Sequence, residues 1–458
     1  MDYAQLVARQ RAYLLSGATS CPEFRRGCLR KLHDLVEKNE ALLLDALHAD
    51  LRKSPQEACA SETSYLLAEI RHAIRHLERW CRPEPRKSPW LAWPAKSWVM
   101  REPFGVSLII GPWNYPLQLL LVPLVSAIAA GNTAVLKPSE FAPATSHAVA
   151  KLLRSAFSDE HIAVVEGHAE TSVALLEEKF DKIFFTGSTE TGRRVMAAAA
   201  KHLTPLTLEL GGKSPCIVAA DAAIDVAARR IVWGKFMNAG QTCVAPDYLL
   251  VDEKIASRLI DALRSAIVTF FGSDPQQSPD YGRIIHSRHL DRLLALIDGE
   301  NVIHGGQHDP ADLYLAPTLL GEASWDAPIM QEEIFGPILP ILSFKSLDET
   351  LAQLSQLPPP LALYLFTEDR STRDQVVKRT RSGGVCVNDT IVHITGRDLP
   401  FGGLGESGMG SYHGHAGFRA FTHERSVMDR KSSPDPKLRY PPAKIPLARM
   451  RRLMRWFG

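Results

Sequence analysis

The 458-residue sequence has no long apolar run, no Cys-x-x-Cys pair and no internal repeat. Its greasiest stretch, residues 117–130, is interrupted by Gln118, Pro123 and Ser126. It is shorter than the roughly 18 apolar residues that a spanning helix needs. Near the N-terminus Arg9 and Arg11 precede only four apolar residues, too few for a secretory core. The seven cysteines are odd in number and widely spaced, which argues against a disulfide framework and against a zinc site. No metal is expected. Excess charge is also lacking: 53 basic residues face 51 acidic ones, a net of +2. A balance this even gives no general case for a nucleic-acid partner. At 45% hydrophobic and 23% charged the chain is of globular composition, and its length suggests about three domains at roughly 150 residues each.

From residue 106 a regular alternation begins. Short apolar runs at 106–110, 133–136, 162–165, 182–185 and 206–210 are separated by helical stretches at 117–130, 144–157, 172–178 and 189–201. Five strands alternating with four helices imply a parallel, doubly wound sheet, whose ligands bind beyond the carboxyl ends of the strands. Residues 23–50 and 57–80 read as two long helices. Residues 90–100 are aromatic and suit a hairpin at an interface. A second alternating region follows, with strands at 217–219, 248–251 and 385–388 and helices at 224–236, 255–270 and 288–297.

Several motifs sit at the strand ends. Thr186-Gly187-Ser188-Thr189-Glu190-Thr191-Gly192 opens a helix and keeps the outer glycines of a dinucleotide fingerprint, with Thr189 in place of the middle one. It is either a pyrophosphate turn at a helix N-terminus or a plain strand-to-helix turn. Lys137 and Glu140 at another strand end can bond ribose hydroxyls or form a charged surface pair. Gly240-Gln241-Thr242-Cys243 is the sharpest candidate for a nucleophile, because glycine and two polar residues precede the thiol. Glu209, ahead of Gly211 and Gly212, is placed for general-base work or for a salt bridge with Lys213. Asn114 offers an amide donor for an oxyanion, or lies in the N-cap region of the following helix.

Together, Pro-Trp-Asn-Tyr-Pro, Lys-Pro-Ser-Glu, Phe-Thr-Gly-Ser-Thr, Glu-Leu-Gly-Gly-Lys, Gly-Gln-Thr-Cys, Glu-Ile-Phe-Gly-Pro and Pro-Phe-Gly-Gly, in this order, resemble the aldehyde dehydrogenase superfamily. Ala245-Pro246-Asp247-Tyr248 and Gly410-Ser411-Tyr412-His413-Gly414 resemble its class 3 branch of fatty and aromatic aldehyde dehydrogenases. The resemblance implies an NAD(P)-dependent enzyme that oxidises a medium or long aliphatic, or aromatic, aldehyde to the carboxylic acid. Cys243 would be the nucleophile, Asn114 an oxyanion donor and Glu209 the base that activates water, with a share for Glu333 left open. A dehydrogenase that hands its acyl group to coenzyme A is the alternative, and Glu209 speaks against it. Lys137, Glu140, Gly187, Ser188, Glu333 and Phe335 would hold the cofactor. Tyr115, Trp233, Thr242, Phe401 and His413 would line the aldehyde tunnel.

The expected fold is α/β, with a Rossmann-like cofactor domain (1–80 and 103–210), an α/β catalytic domain (211–398) and a small β bridging and oligomerisation element (81–102 and 399–430). NAD is the expected cofactor, with NADP also accepted, and the expected assembly is a homodimer. The basic tail, 431–458, can place Leu447, Met450, Met454 and Phe457 on one helical face, which suits weak contact with an anionic membrane surface. The expected location is cytoplasmic, with peripheral membrane contact through this tail.

Overall fold

The computed structural model describes residues 2–436, 440–442 and 445–457; the side chains of residues 453, 456 and 457 lie outside that set. The first α/β layer is a six-stranded sheet in the order Gly408–Met409, Leu206–Glu209, Lys182–Thr186, Val106–Ile110, Thr133–Lys137, Ile162–Val164. All five expected strands are there and parallel, with Ile110 opposite Lys137 and Thr186 opposite Glu209. That register brings Gly111, Lys137, Gly187 and Glu209 to one edge. The edge strand Gly408–Met409 runs antiparallel and comes from the glycine-rich segment.

Nearly every residue of these strands is buried, as expected of parallel strands covered on both faces. One cover is helix Gln118–Ala130, in which all thirteen residues are buried. A helix apolar all round belongs in a core, so the greasiest stretch of the sequence is the central helix of this layer. Among the described residues no helix is long and apolar enough to cross a membrane.

The second layer is a seven-stranded sheet in the order Val302–His304, Thr318–Leu320, Ile338–Phe344, Tyr248–Asp252, Pro215–Val218, Ala362–Phe366, Gly384–Val387. Only its first strand is antiparallel. A three-stranded antiparallel sheet, Glu84–Arg86, Ala95–Pro103 and Thr422–Arg430, joins the layers. Its long pair runs from Pro103 opposite Thr422 to Ala95 opposite Arg430.

Some local expectations are corrected. The helix expected over 23–50 is two, Pro22–Lys38 and Glu40–Leu51, because Asn39 leaves the helical backbone and its amide donates to the Leu35 carbonyl at 2.8 Å. The helix expected over 57–80 contains a π-turn, Cys59–Thr63. Such a turn holds one residue more than an α-turn. It carries Glu62 and Thr63, both fully buried. The hairpin pairs Glu84–Arg86 with Ala95–Pro103, and a 3-10 turn, Trp90–Ala92, lies in its connection. Helix Tyr3–Leu15 had no clear sequence signal. It is anchored by Gln10, whose amide donates to the carbonyls of Ala134 and Asp159 at 2.9 Å each.

Candidate active site

A cavity of about 740 Å³ lies between the two α/β layers, at the carboxyl ends of the first sheet. Its walls include Asn114, Gly187, Ser188, Glu209, Cys243, Glu333 and Phe335. Residues far apart in sequence thus converge on one space.

Cys243 follows a strained loop. Asn238 (φ 53°), Ala239 (φ 50°) and Gly240 (φ 73°) all adopt left-handed backbone, and a Cβ on Gly240 would lie 2.3 Å from the Gly336 carbonyl oxygen. Only glycine fits there. Gln241 is fully buried and pins the loop. Its amide donates to the carbonyls of Asn238 (3.0 Å) and Arg283 (2.8 Å), and its oxygen accepts the Ile285 N–H at 3.0 Å. Asn114 is buried, and its amide donates to the Gln241 carbonyl at 3.0 Å. A primary amide has two N–H donors, so the second is left for an oxygen in the cavity. The helix downstream of Asn114 is capped instead by Glu62, which accepts the backbone N–H groups of Leu117 (3.0 Å) and Gln118 (3.1 Å).

A buried pair lies behind Asn114. Lys53 and Glu62 are both inaccessible to solvent and meet at 2.5 Å. Lys53 also donates to the Asn114 carbonyl at 2.8 Å, and Asn238 donates to the same oxygen at 2.9 Å. Glu57 holds the Asn238 N–H at 2.9 Å. None of these supports was singled out from the sequence. Lysines and glutamates are rarely buried unless paired, and nothing in the local pattern marks these as interior.

Glu209 is 2% exposed and neither carboxylate oxygen has a hydrogen-bond partner. The expected alternative, a bridge to Lys213, does not form. Gly212 turns the chain at φ 138°, and Lys213 bonds Asp247 at 2.5 Å and the Ile329 carbonyl at 2.8 Å. Burial pushes the Glu209 carboxyl well above its usual range. The Cys243 thiol is also pushed up, first by burial and then by the Glu333 and Glu209 carboxylates. Glu333 is half-buried and raised to about 8, by burial and then by Asp247. Its carboxylate lies flat against Gly211, where a Cβ would meet Oε2 at 2.0 Å. Phe335 stands edge-on to Trp113 at 5.3 Å.

The cavity suits a dinucleotide. Gly187 and Ser188 open helix Thr189–Ala200, Ser188 caps it through the Thr191 N–H, and a Cβ on Gly187 would strike the Phe185 ring at 2.5 Å. Thr189, the residue that replaces the middle glycine, donates to the Glu406 carbonyl at 2.9 Å and ties the turn to the edge strand's loop. Lys137 and Glu140 do form an ion pair, at 3.1 Å, at the end of strand Thr133–Lys137, outside the residues that line the cavity.

The five residues expected along the aldehyde tunnel are not brought to this cavity. Tyr115 and Thr242 are buried, bonded to each other at 2.7 Å. Trp233 is 41% exposed. Phe401 and His413 are buried and stacked at 5.2 Å, with His413 facing a different cavity.

A partly buried thiol, an amide donor, an unpartnered carboxyl and a helix N-terminus meet in one cleft, a set that suits a dinucleotide-linked oxidoreductase. The description "Aldehyde dehydrogenase family" matches residues 2–427, and the chain belongs to that family. It is 45% identical to the 4,4'-diaponeurosporen-aldehyde dehydrogenase of Staphylococcus aureus, over 95% of each chain. It is also 45% identical to the dimeric NADP-preferring aldehyde dehydrogenase of Mus musculus, over 97% of this chain and 99% of that one. Among solved structures, the substrate-bound state of Staphylococcus aureus AldH matches with a TM-score of 0.96 and 43% identity, over 99% of both chains.

Proposed function

We propose that the enzyme is class 3-like and oxidises medium or long aliphatic, or aromatic, aldehydes to carboxylic acids, with Cys243 as the nucleophile. The observation that carries this reading is the convergence of Cys243, Asn114 and the unpartnered Glu209 on one cavity. The Cys243 thiol gives up its proton to solvent in the cleft, the thiolate adds to the aldehyde carbonyl, and the free N–H of Asn114 faces the charge that develops on oxygen. NAD(P), when bound, supplies the acceptor for the hydride that leaves the substrate carbon. Glu209 then takes a proton from water as that water attacks the thioester, and the acid leaves. Glu333 would hold the nicotinamide ribose when the cofactor is bound, and its charge raises the pKa of the thiol, which keeps a share in proton transfer open. A carboxyl free of partners favours hydrolysis over transfer to coenzyme A.

Glu140 supports a preference for NAD, because a carboxylate accepts from a ribose 2′-hydroxyl and repels a 2′-phosphate. The name of the mouse relative supports use of NADP as well. The same name supports a homodimer. A working thiol nucleophile suits a reducing, cytoplasmic compartment. Helix Leu447–Phe457 carries Arg449, Arg451, Arg452 and Arg455, which supports weak contact with an anionic membrane surface. The side chain of Phe457, expected on its apolar face, lies outside the described residues.

The test is formation of reduced nicotinamide with a panel of aliphatic and aromatic aldehydes, with NAD and NADP run separately. Turnover that improves with chain length or aromaticity, and runs faster with NAD, is the expected result. Preference for two- or three-carbon aldehydes would overturn the substrate reading.

A further inference from the structure

A second cavity, of about 630 Å³, opens on the opposite end of the first sheet. It is lined by Lys182 and Thr207 at the amino ends of their strands, whereas the catalytic cleft takes Thr186 and Glu209 from the carboxyl ends. At about 3.3 Å per residue, the two ends of strand Lys182–Thr186 are about 13 Å apart.

The charge of this cavity is one-sided. Arg79, Arg101, Lys182, Arg397 and Arg419 line it, against the carboxylates of Asp398 and Glu424. Glu424 is shared between Arg101 at 2.7 Å and Arg419 at 3.1 Å, and Glu84 also holds Arg101 at 3.1 Å, so among the described residues the cations left without a close carboxylate are Lys182, Arg397 and Arg79. Lys182 is 3% exposed, and among the described residues it has no carboxylate partner. Its ammonium donates to the Thr207 hydroxyl at 2.8 Å and stands over the Phe104 ring at 5.8 Å. The Arg397 Nε is buried without a hydrogen bond, and its nearest carboxylate oxygen, on Glu69, is 3.8 Å away. Arg79 forms no ion pair among the described residues. Neutral His415 adds a further ring N–H donor, whereas the His413 ring is engaged with the Tyr65 hydroxyl at 3.1 Å. Burial holds His413 at about 3, and His415 is lowered by burial and by Arg101 and Arg419.

Burial without a counter-charge lowers Lys182 to about 7, and an anion that reached it would favour its charged form. Lys182, Arg397 and Arg79 come from a strand, a loop and a helix, and all three line this one cavity. A tetrahedral oxyanion accepts from several directions at once, and guanidinium forks suit it. We propose that this cavity is an anion site that takes a phosphate group. The volume leaves room for more than a bare ion, which favours the phosphate of a small phosphomonoester over free phosphate.

The experiment uses the full-length enzyme saturated with NAD, so that the cofactor seat is filled. Inorganic phosphate and glycerol phosphate are titrated separately by calorimetry and by thermal melting, against chloride at matched ionic strength. Both are expected to bind and to raise the melting temperature beyond the chloride control, with glycerol phosphate the tighter. Arg397→Gln and Lys182→Met are each expected to weaken binding by about tenfold or more, the loss of one charge-assisted hydrogen bond. Arg397 is partly exposed, so its variant keeps the test sound should Lys182→Met fold poorly. Aldehyde turnover without phosphate should be unchanged in Arg397→Gln. No binding beyond chloride, or equal binding by wild type and Arg397→Gln, would overturn the proposal. So would a phosphate-insensitive wild type whose Arg397→Gln variant changes oligomeric state, which would give the cavity to a partner subunit's carboxylates instead.

Discussion

Replacing Lys53 by methionine tests the buried support of the site. Lys53 and Glu62 meet at 2.5 Å with neither exposed to solvent, and the lysine also bonds the Asn114 carbonyl. Removal of one partner from a buried pair costs about 3–5 kcal/mol, because the other charge is left in a poor environment. Here Glu62 keeps two backbone N–H donors at the start of helix Gln118–Ala130, so the lower end, about 3 kcal/mol, is expected. Asn114 keeps the Asn238 donor at 2.9 Å, so turnover should fall but persist. Urea denaturation at fixed protein concentration reads the stability loss, and a double variant, Lys53→Met with Glu62→Gln, should recover most of it, because the amide oxygen keeps the two backbone N–H bonds while the charge is gone. A Lys53→Met loss below about 1 kcal/mol, the size of an exposed pair, would refute the reasoning. So would a double variant no more stable than the single one.

Further outcomes concern the cleft itself. Asn114→Ala should lower kcat by about 10²–10³, the value of one oxyanion donor, with little change in melting temperature; steady-state kinetics and thermal melts read both. Glu209→Gln should slow acid release by about 10²–10⁴ and leave the acylation burst intact, which stopped-flow measurement of reduced nicotinamide would show. Gly211→Ala puts a Cβ 2.0 Å from the Glu333 carboxylate oxygen, and should raise KM for the cofactor more than it lowers kcat. The Glu333 carboxyl is raised from 4.5 to about 8 by burial, so the folded state holds a proton that the unfolded chain has lost. Its stability contribution is therefore full below the unfolded value and declines as pH rises towards about 8. Glu333→Gln should flatten that decline in melts run across the same window.

The strands of the first sheet were legible because their apolar runs are short, evenly spaced and bounded by Gly, Pro or Ser. Cys243, Asn114 and Glu209 were legible because each stands beside residues that only a tight backbone or an open site requires. Gly240 is the clear case, since the Gly336 carbonyl leaves no room for a side chain. The supports behind them carry no such mark. Lys53 lies 61 residues before Asn114, and only the tertiary fold brings its ammonium to that carbonyl. The alternative reading of Glu209, a bridge to Lys213, fails for the same reason: Asp247 and a carbonyl from a later segment claim the lysine. Helix Tyr3–Leu15 was hidden because only Leu6, Val7 and Gln10 are buried, too few to set a period. The tunnel residues rested on family resemblance alone, and the structure places them outside the lining of the main cavity. Tyr115 and Thr242 bond each other, and His413 turns to the second cavity.

The most direct measurement of the central claim is intact mass spectrometry of Glu209→Gln mixed with an aldehyde and NAD, followed by peptide mapping. An acyl adduct confined to Cys243, and absent in a Cys243→Ala variant that also lacks turnover, is the expected result. An adduct on another of the seven cysteines, or full turnover by Cys243→Ala, would contradict it.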